Sequence, residues 1–362
     1  MSTVALWQDE PYAGRPALDG NRACDVCIIG AGIGGIALAR RLDAAGADVL
    51  VLEADVVGGG ATGRNGGFFI AGAAPMYHRG VEAFGRDRAR RVHAATLAAQ
   101  NEMLRAADEL GAREHFRVTG LLRLGLDAQE ADDVRAHHAA LRADGFPAEL
   151  VGGDDLPTAL RRPERLALMT AGDGSVHPVR WVRALAADLP VYERTRVTAP
   201  PAATGDRVRV ATDRGTVIAG RVVVAADAAL PALVPAAAAV RPRRLQMLAT
   251  APAPAGLLPQ PVYARYGHEY AQQLPGGRIT LGGFSDLDGA AGWTGEATVS
   301  APVQARLERW LREELALAVP DITHRWSGVV GYADLALPRV GAVAGGDERI
   351  WGMGGYNGTG HV

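Results

Sequence analysis

The stretch Gly30-Ala31-Gly32-Ile33-Gly34-Gly35 constrains this chain more than any other. Before it runs Val26-Cys27-Ile28-Ile29, a continuous apolar segment of the kind buried on both faces of a parallel sheet. After it come Leu38, Leu42 and Ala45, spaced i, i+4, i+7, with Arg40, Arg41 and Asp43 between them. That spacing predicts an amphipathic helix, which Gly46 ends. Residues 49–52 are the next apolar run, so the segment reads as a βαβ unit with G-x-G-x-x-G at its first turn. Gly30 permits the tight turn, Gly32 lets the backbone approach a pyrophosphate, and Gly35 permits close packing of helix on strand. The helix N-terminus behind them offers free N–H groups to the anion. Glu53 stands at the end of the second strand, 18 residues past Gly35. A carboxylate there accepts hydrogen bonds from both ribose hydroxyls and repels a 2′-phosphate. The pattern specifies a dinucleotide site and argues against NADP; it leaves NAD and FAD open. Residues 58–67 then hold six glycines in ten, with Arg64 and Asn65 among them. A second loop that exposes its backbone suits a longer ligand gripped again beyond its pyrophosphate, with Arg64 and Asn65 as contacts.

Composition narrows the class. The chain has 362 residues, 48% of them hydrophobic, which is room for about two domains and a core that needs no staple. Basic and acidic residues number 38 and 40, so the basic excess of a nucleic-acid binder is missing. Every basic residue is arginine, which removes lysine as Schiff base, general base or phosphate ligand. Cys24 and Cys27 form a C-x-x-C at a strand start. Three apart on a strand, they point to opposite faces, and no second pair completes a zinc site. They read as one strand-start thiol and one packed thiol, with no metal expected. Residues 1–14 lack a basic region followed by an apolar core, so no secretory leader is expected. The apolar stretch 222–240 is interrupted by Asp227, Pro231 and Pro235, which disqualifies it as a membrane span. The expectation is a cytoplasmic protein without nucleic-acid or membrane partners.

Further along, residues 86–110 read as a helix stopped by Gly111, and 128–144 as another. His137 and His138 lie on the second; adjacent helix positions do not face one site, so both are expected to be solvated. Strands are expected at 117–126, 207–224, 278–283, 326–332 and 349–353, and a helix at 303–317. Strand-rich and helix-rich stretches alternate without clean linkers, which predicts two domains that interrupt each other.

Three segments together carry a family resemblance: Asp25-Val-Cys-Ile-Ile-Gly-Ala-Gly-Ile-Gly-Gly, then Val-Leu-Glu53-Ala, then Gly60-Ala-Thr-Gly-Arg-Asn-Gly-Gly67. They resemble the FAD-dependent D-amino-acid oxidase superfamily, and the Gly-Arg-Asn-Gly-Gly form its γ-glutamylputrescine oxidase-like branch. Leu6-Trp7, Gly174-Ser-Val-His-Pro178, the run from Pro242 to Thr250, Trp326 to Tyr332, Leu337 to Gly341, and Gly354-Gly-Tyr-Asn-Gly-Thr-Gly360 extend the likeness over nearly the whole chain. The resemblance implies an α/β fold, α+β overall, with a Rossmann-like FAD-binding domain of the glutathione-reductase type interrupted by a strand-rich substrate domain. An arm at 1–22, an FAD domain at 23–80, 165–235 and 326–362, and a substrate domain at 81–164 and 236–325 are the expected divisions. It implies that Gly30, Gly32 and Gly35 bind the pyrophosphate and Glu53 the adenosine ribose. Thr62, Arg64, Asn65, Gly66 and Gly67 would line the ribityl–pyrophosphate path, and the Val197 backbone would meet adenine. Tyr356, Asn357, Gly358, Thr359 and Gly360 would meet the flavin ring. Gly34, Ala54 and Gly355 complete the implied cofactor-binding set.

The implied reaction is oxidation of a C–N bond in an amine or amino-acid-like substrate, by hydride transfer to flavin, with O2 or another electron acceptor. Departures qualify it. Some relatives hold flavin through a late cysteine; here noncovalent FAD is expected. Sarcosine oxidases use a lysine toward oxygen, and none exists here. Glycine and D-amino-acid oxidases clamp the substrate carboxylate with an arginine in a Gly-Leu-Arg-Pro stretch; the corresponding stretch here is Gly328-Val-Val-Gly331. That favours an amine, or a substrate whose carboxylate lies elsewhere. No motif fixes a catalytic residue. His268, Tyr270, Tyr356 and Tyr266 are candidates to orient substrate, and Arg265 and Arg278 to hold an anionic group. Relatives continue past the last glycine loop into a helix whose dipole favours negative charge on reduced flavin. The sequence stops at His361-Val362, so weakened flavin binding or turnover is expected, and a non-catalytic flavin binder or an NAD-dependent dehydrogenase stays as the alternative.

Overall fold

The apolar run at 26–29 is the inner half of β1 (Arg22–Ile29). Val26 and Ile28 pack into one core and Cys27 and Ile29 into another, as in a strand covered on both faces. Helix α1 (Ile33–Ala44) follows, then β2 (Val49–Leu52), all four of whose residues are buried. The computed structural model describes residues 3–315, 321–334, 337–343 and 346–359. Its first sheet sets five strands parallel: Ile350–Gly354, Gly215–Val224, β1, β2 and Val191–Tyr192, with β1 at the centre. The strand Gly215–Val224 changes partner along its length. Residues 215–219 pair antiparallel with Arg207–Thr212, and residues 222–224 pair parallel with Ile350–Gly354.

The second sheet has eight strands, in the order Ile322–Tyr332, Arg241–Pro252, Arg278–Gly282, Glu269–Gln273, Val262–Ala264, Leu121–Gly125, Leu166–Thr170 and Glu149–Gly152. Helix Ala301–Leu315 covers one face, burying Val303, Leu307, Trp310, Leu311 and Leu315. A three-stranded sheet of Phe68–Phe69, Gly174–Val176 and Phe116–Arg117 lies between the large ones in chain order. Among the described residues, no helix is long and apolar enough to cross a membrane.

Several expectations need correction. Segments 165–170 and 326–332, assigned from sequence to the FAD part, hydrogen-bond into the second sheet. Cys24 and Cys27 do not part to opposite environments; both are buried in the same cluster, and burial pushes the Cys24 thiol up to about 12. The helix expected over 86–110 is present as Arg86–Glu109, and a separate one, Tyr77–Phe84, precedes it with Gly85 between them. His137 is not solvated: it is 5% exposed and packs toward His78, while His138 is half-buried. Residues 316–317 of the expected last helix lie outside the described residues.

Candidate active site

The turn after β1 is built as its glycines require. Gly30 has φ +112°, and a Cβ there would lie 2.5 Å from the Ala225 carbonyl oxygen. A Cβ on Gly35 would lie 2.0 Å from the Gly30 carbonyl oxygen, so α1 can sit against β1 only without a side chain. The first intrahelical bond runs from Ile36 N–H to Gly32 C=O, and Ile33 N–H donates to Thr62 Oγ1 at 3.0 Å. The turn stands at the carboxyl end of the central strand, where ligands bind in open parallel sheets.

A cavity of about 640 Å³ opens there. At one end lie Leu52, Glu53, Ala54, Thr195, Arg196 and Val197; Gly30, Gly32, Gly34 and residues 60–62 follow. Glu53 accepts from Ala31 N–H at 2.8 Å and Asp55 N–H at 2.9 Å, one on each oxygen. Burial raises its pKa above the usual carboxylate range, and those two amides pull it back down. Each oxygen keeps a lone pair for a ribose hydroxyl. At the other end Tyr356, Asn357, Gly358 and Thr359 join a wall of Phe68, Ile70, Leu245, Tyr263, Tyr270, Val330 and Tyr332. The Phe68 ring meets Tyr263 and Tyr270 edge-on, with centroids 4.8 Å and 5.7 Å away.

The sequence-derived contacts divide. Gly35, Gly67 and Gly355 are outside the cavity lining and act in the backbone around it, and Gly360 lies outside the described residues. The Asn65 amide serves the loop itself: Nδ2 donates to the Ala61 and Thr62 carbonyls and Oδ1 accepts from Gly67 N–H. Arg64 donates to the carbonyls of Gly59 and Ser327, joining the glycine loop to the second sheet. Asn357, at φ +55°, accepts from Ala333 N–H and donates to the Gly355 carbonyl. Tyr270 stands in the aromatic wall. Tyr356 joins that end of the lining, but its hydroxyl reaches back over the dinucleotide turn: a Cβ on Gly34 would lie 2.6 Å from it. His268 lies exposed at the rim beside Tyr266, whose hydroxyl donates to Asp133. Arg265 and Arg278 are not in the lining; Arg265 pairs with Glu269 and Asp286, and Arg278 donates to Thr250 C=O and the Thr323 hydroxyl.

Two carboxylates escaped the sequence reading. Asp227 follows the strand Gly215–Val224 at φ +42° and accepts from the amides of Gly331, Gly355 and Tyr356. It ties the second sheet to the last glycine loop; burial raises its pKa and the three amides oppose that. Glu193 is fully buried and accepts from the Tyr12 hydroxyl and the amides of Arg15 and Val57. It fastens the N-terminal arm to the loop after Glu53. The arm continues the clamp: Trp7 Nε1 donates to Asn65 C=O at 2.7 Å, and Gln8 donates to Gly58 and Gly59 carbonyls. Asp227 could have been noticed as the lone charge in an apolar run; nothing local marks Glu193.

The geometry is that of a dinucleotide site with an extra, apolar chamber beyond the turn, and the comparisons identify it. The model of the family described as FAD dependent oxidoreductase matches residues 25–361. The chain belongs to that family. A probable oxidoreductase OrdL of Rhizobium meliloti is 29% identical over 366 aligned positions, covering 95% of this chain and 81% of the relative. Gamma-glutamylputrescine oxidoreductase of Escherichia coli is 41% identical over 83 residues, 22% of this chain and 18% of that protein. Among solved structures, glycine oxidase from Geobacillus kaustophilus superposes with TM-score 0.76 at 23% identity, covering 93% of this chain and 90% of that one. L-proline dehydrogenase from P. horikoshii gives 0.74 at 21%, covering 94% and 89%. The residues present fit FAD. The cavity runs from Glu53 past the glycine turn to the aromatic wall, and the Tyr356 hydroxyl is buried along it with no hydrogen-bond partner among the described residues. Neither cysteine lines it.

Proposed function

We propose that this FAD-dependent oxidoreductase oxidises a C–N bond of an amine or amino-acid-like substrate, with O2 as acceptor and peroxide as product. The observation that carries the reading is the chamber wall. It is aromatic and aliphatic, and Val330 occupies the strand stretch where the resemblance leads one to look for a carboxylate-clamping arginine. Of the arginines lining the cavity, Arg196 belongs to the far end beside Val197, and Arg64 is committed to two carbonyls.

Gly30, Gly32 and Thr62 would hold the pyrophosphate, Glu53 the ribose, and Gly66 with residues 356–359 the flavin end. Bound FAD supplies a two-electron acceptor that takes a hydride and passes the electron pair to O2. The chain's own residues do the rest. An apolar wall desolvates the amine and so favours its neutral form, whose nitrogen lone pair assists loss of hydride from the adjacent carbon. Tyr263 is pushed up to about 12 by burial and Tyr270 higher still, so both keep their hydroxyl protons and can donate to the substrate. One hydride and one proton leave the substrate, and the imine hydrolyses in water. In a chain without lysine, Arg64 is the fixed cation beside the glycine loop for the oxygen step.

The test is anaerobic. The purified yellow protein is mixed in turn with alkylamines, polyamines, N-methyl amino acids and α-amino acids, and flavin bleaching is followed. Bleaching by an amine, with peroxide released on admitting air, is the expected result. A flavin that stays oxidised with every amine sinks the proposal.

A further inference from the structure

A second cavity, of about 80 Å³, lies behind the aromatic wall. Ala71, Gly72, Ala73 and Pro75 line it, whereas Ile70 and Ala74 line the main chamber, so one short segment separates the two. Arg123, on the strand Leu121–Gly125, borders the small cavity and is 9% exposed. Its guanidinium has no hydrogen bond or ion pair among the described residues. Its one contact of this kind is with the Tyr263 ring, 5.4 Å from the centroid, and Tyr263 faces the main chamber. His137 borders the same cavity at 5% exposure, and its Nδ1 is buried with no hydrogen-bond partner among the described residues. Asp173 is the carboxylate in the lining, and it is committed elsewhere. It accepts from Ala71 N–H and the Gln100 amide on one oxygen and from the Thr170 hydroxyl on the other.

A buried guanidinium without an acceptor costs stability, and such a cost persists where a ligand removes it. The planar fork of N–H donors matches a carboxylate, which accepts two of them at once. The cavity has about the room of two or three waters, which a small carboxylate group also fills. Burial holds His93 and His137 uncharged at neutral pH, so Arg123 is the cation of the cavity. We propose that this cavity is a carboxylate-binding site, in which Arg123 grips the anion and His137 adds a neutral hydrogen bond. The carboxylate is either the far end of an amine substrate reaching past Tyr263 or a free small acid; only the first source rests on the amine-oxidation reading.

Calorimetric titration of the holoenzyme with sodium acetate, in chloride-free buffer at constant ionic strength, tests the site without turnover. Saturable binding that Arg123→Met weakens at least tenfold is expected. The ligand-free variant should also melt above wild type, because its unpaired charge is gone, and acetate should raise the melting temperature of wild type alone. Should Arg123→Met not fold, His137→Gln must weaken acetate several-fold. Wild type that takes up no acetate, or variants that bind it as well, overturn the proposal. The source follows from KM for an alkylamine and for the same amine bearing a terminal carboxylate. A tenfold advantage for the acid that Arg123→Met abolishes assigns the site to the substrate; equal values assign it to a free acid. Absence of any amine turnover defeats the functional reading and leaves the calorimetric result standing.

Discussion

Gly35 has no room for a side chain, because its Cβ would meet the Gly30 carbonyl at 2.0 Å. Gly35→Ala should therefore cost about 3 kcal/mol and empty the site of flavin; the melting temperature and the visible spectrum of purified protein check both. Asp227 carries the opposite kind of constraint. Its carboxylate gathers three amides from two loops, and an alanine there orphans all three. Asp227→Ala should weaken FAD binding at least tenfold, read by titrating apoprotein with FAD, and unchanged affinity would show the loop holds itself. At Val330 the expected change is a gain. Val330→Arg places a guanidinium on the chamber wall and should lower KM for plain α-amino acids by tenfold or more. Residue chemistry was legible where backbone geometry dictates it, as at Gly30, Gly35 and Glu53. Asn65 and Asn357 line the cavity as the sequence suggested, but their amides are also spent on backbone: Asn65 within its own loop, Asn357 on Gly355 and on Ala333. A polar side chain in a glycine-rich stretch has two uses, and sequence spacing does not separate them.

At the scale of elements, the N-terminal arm is the part whose contribution is least apparent from its composition. Trp7, 2% exposed, hangs its indole N–H on Asn65 C=O, and Gln8 donates to the carbonyls of Gly58 and Gly59. The glycine loop thus keeps its shape partly through a segment more than fifty residues earlier in sequence. Trp7→Ala should cost about 3–5 kcal/mol and accelerate flavin loss during gel filtration; retention equal to wild type counts against the clamp. The βαβ unit was legible to the residue at β2, since its apolar run is bounded by local signals. The segments 165–170 and 326–332, which the expected divisions gave to the FAD part, lie in strands Leu166–Thr170 and Ile322–Tyr332 of the second sheet. Their sheet is chosen by partners distant in sequence, Leu121–Gly125 and Arg241–Pro252, and no local pattern names those partners.

Over the whole molecule, buried histidines supply a loss of stability in acid. Burial holds His93 down to about 4, from an ordinary value of 6.5, and holds His137 well below its ordinary value too. Between these limits the unfolded chain binds protons that the folded chain refuses. The contribution of these histidines is therefore complete above pH 6.5 and is lost as the pH drops toward 4, opposed by the raised carboxyls of Glu53 and Asp227. Each histidine contributes up to about 1.4 kcal/mol per pH unit in that window. The urea midpoint should decline from about pH 7 to about pH 5, and His93→Phe should flatten the decline. An unaltered slope in that variant would mean other groups carry it.

The strand Gly215–Val224 changes partner half-way, and the partner of its second half, Ile350–Gly354, comes more than a hundred residues later. The parallel sheet beside the glycine turn is therefore finished only when residues 350–354 dock, bringing Gly355 and Tyr356 to Asp227. During synthesis, the ribosome releases every other wall of the cavity before this one. A nascent chain can therefore shape the Glu53 end of the cavity before the Tyr356 end, which waits for residues 350–356 to dock.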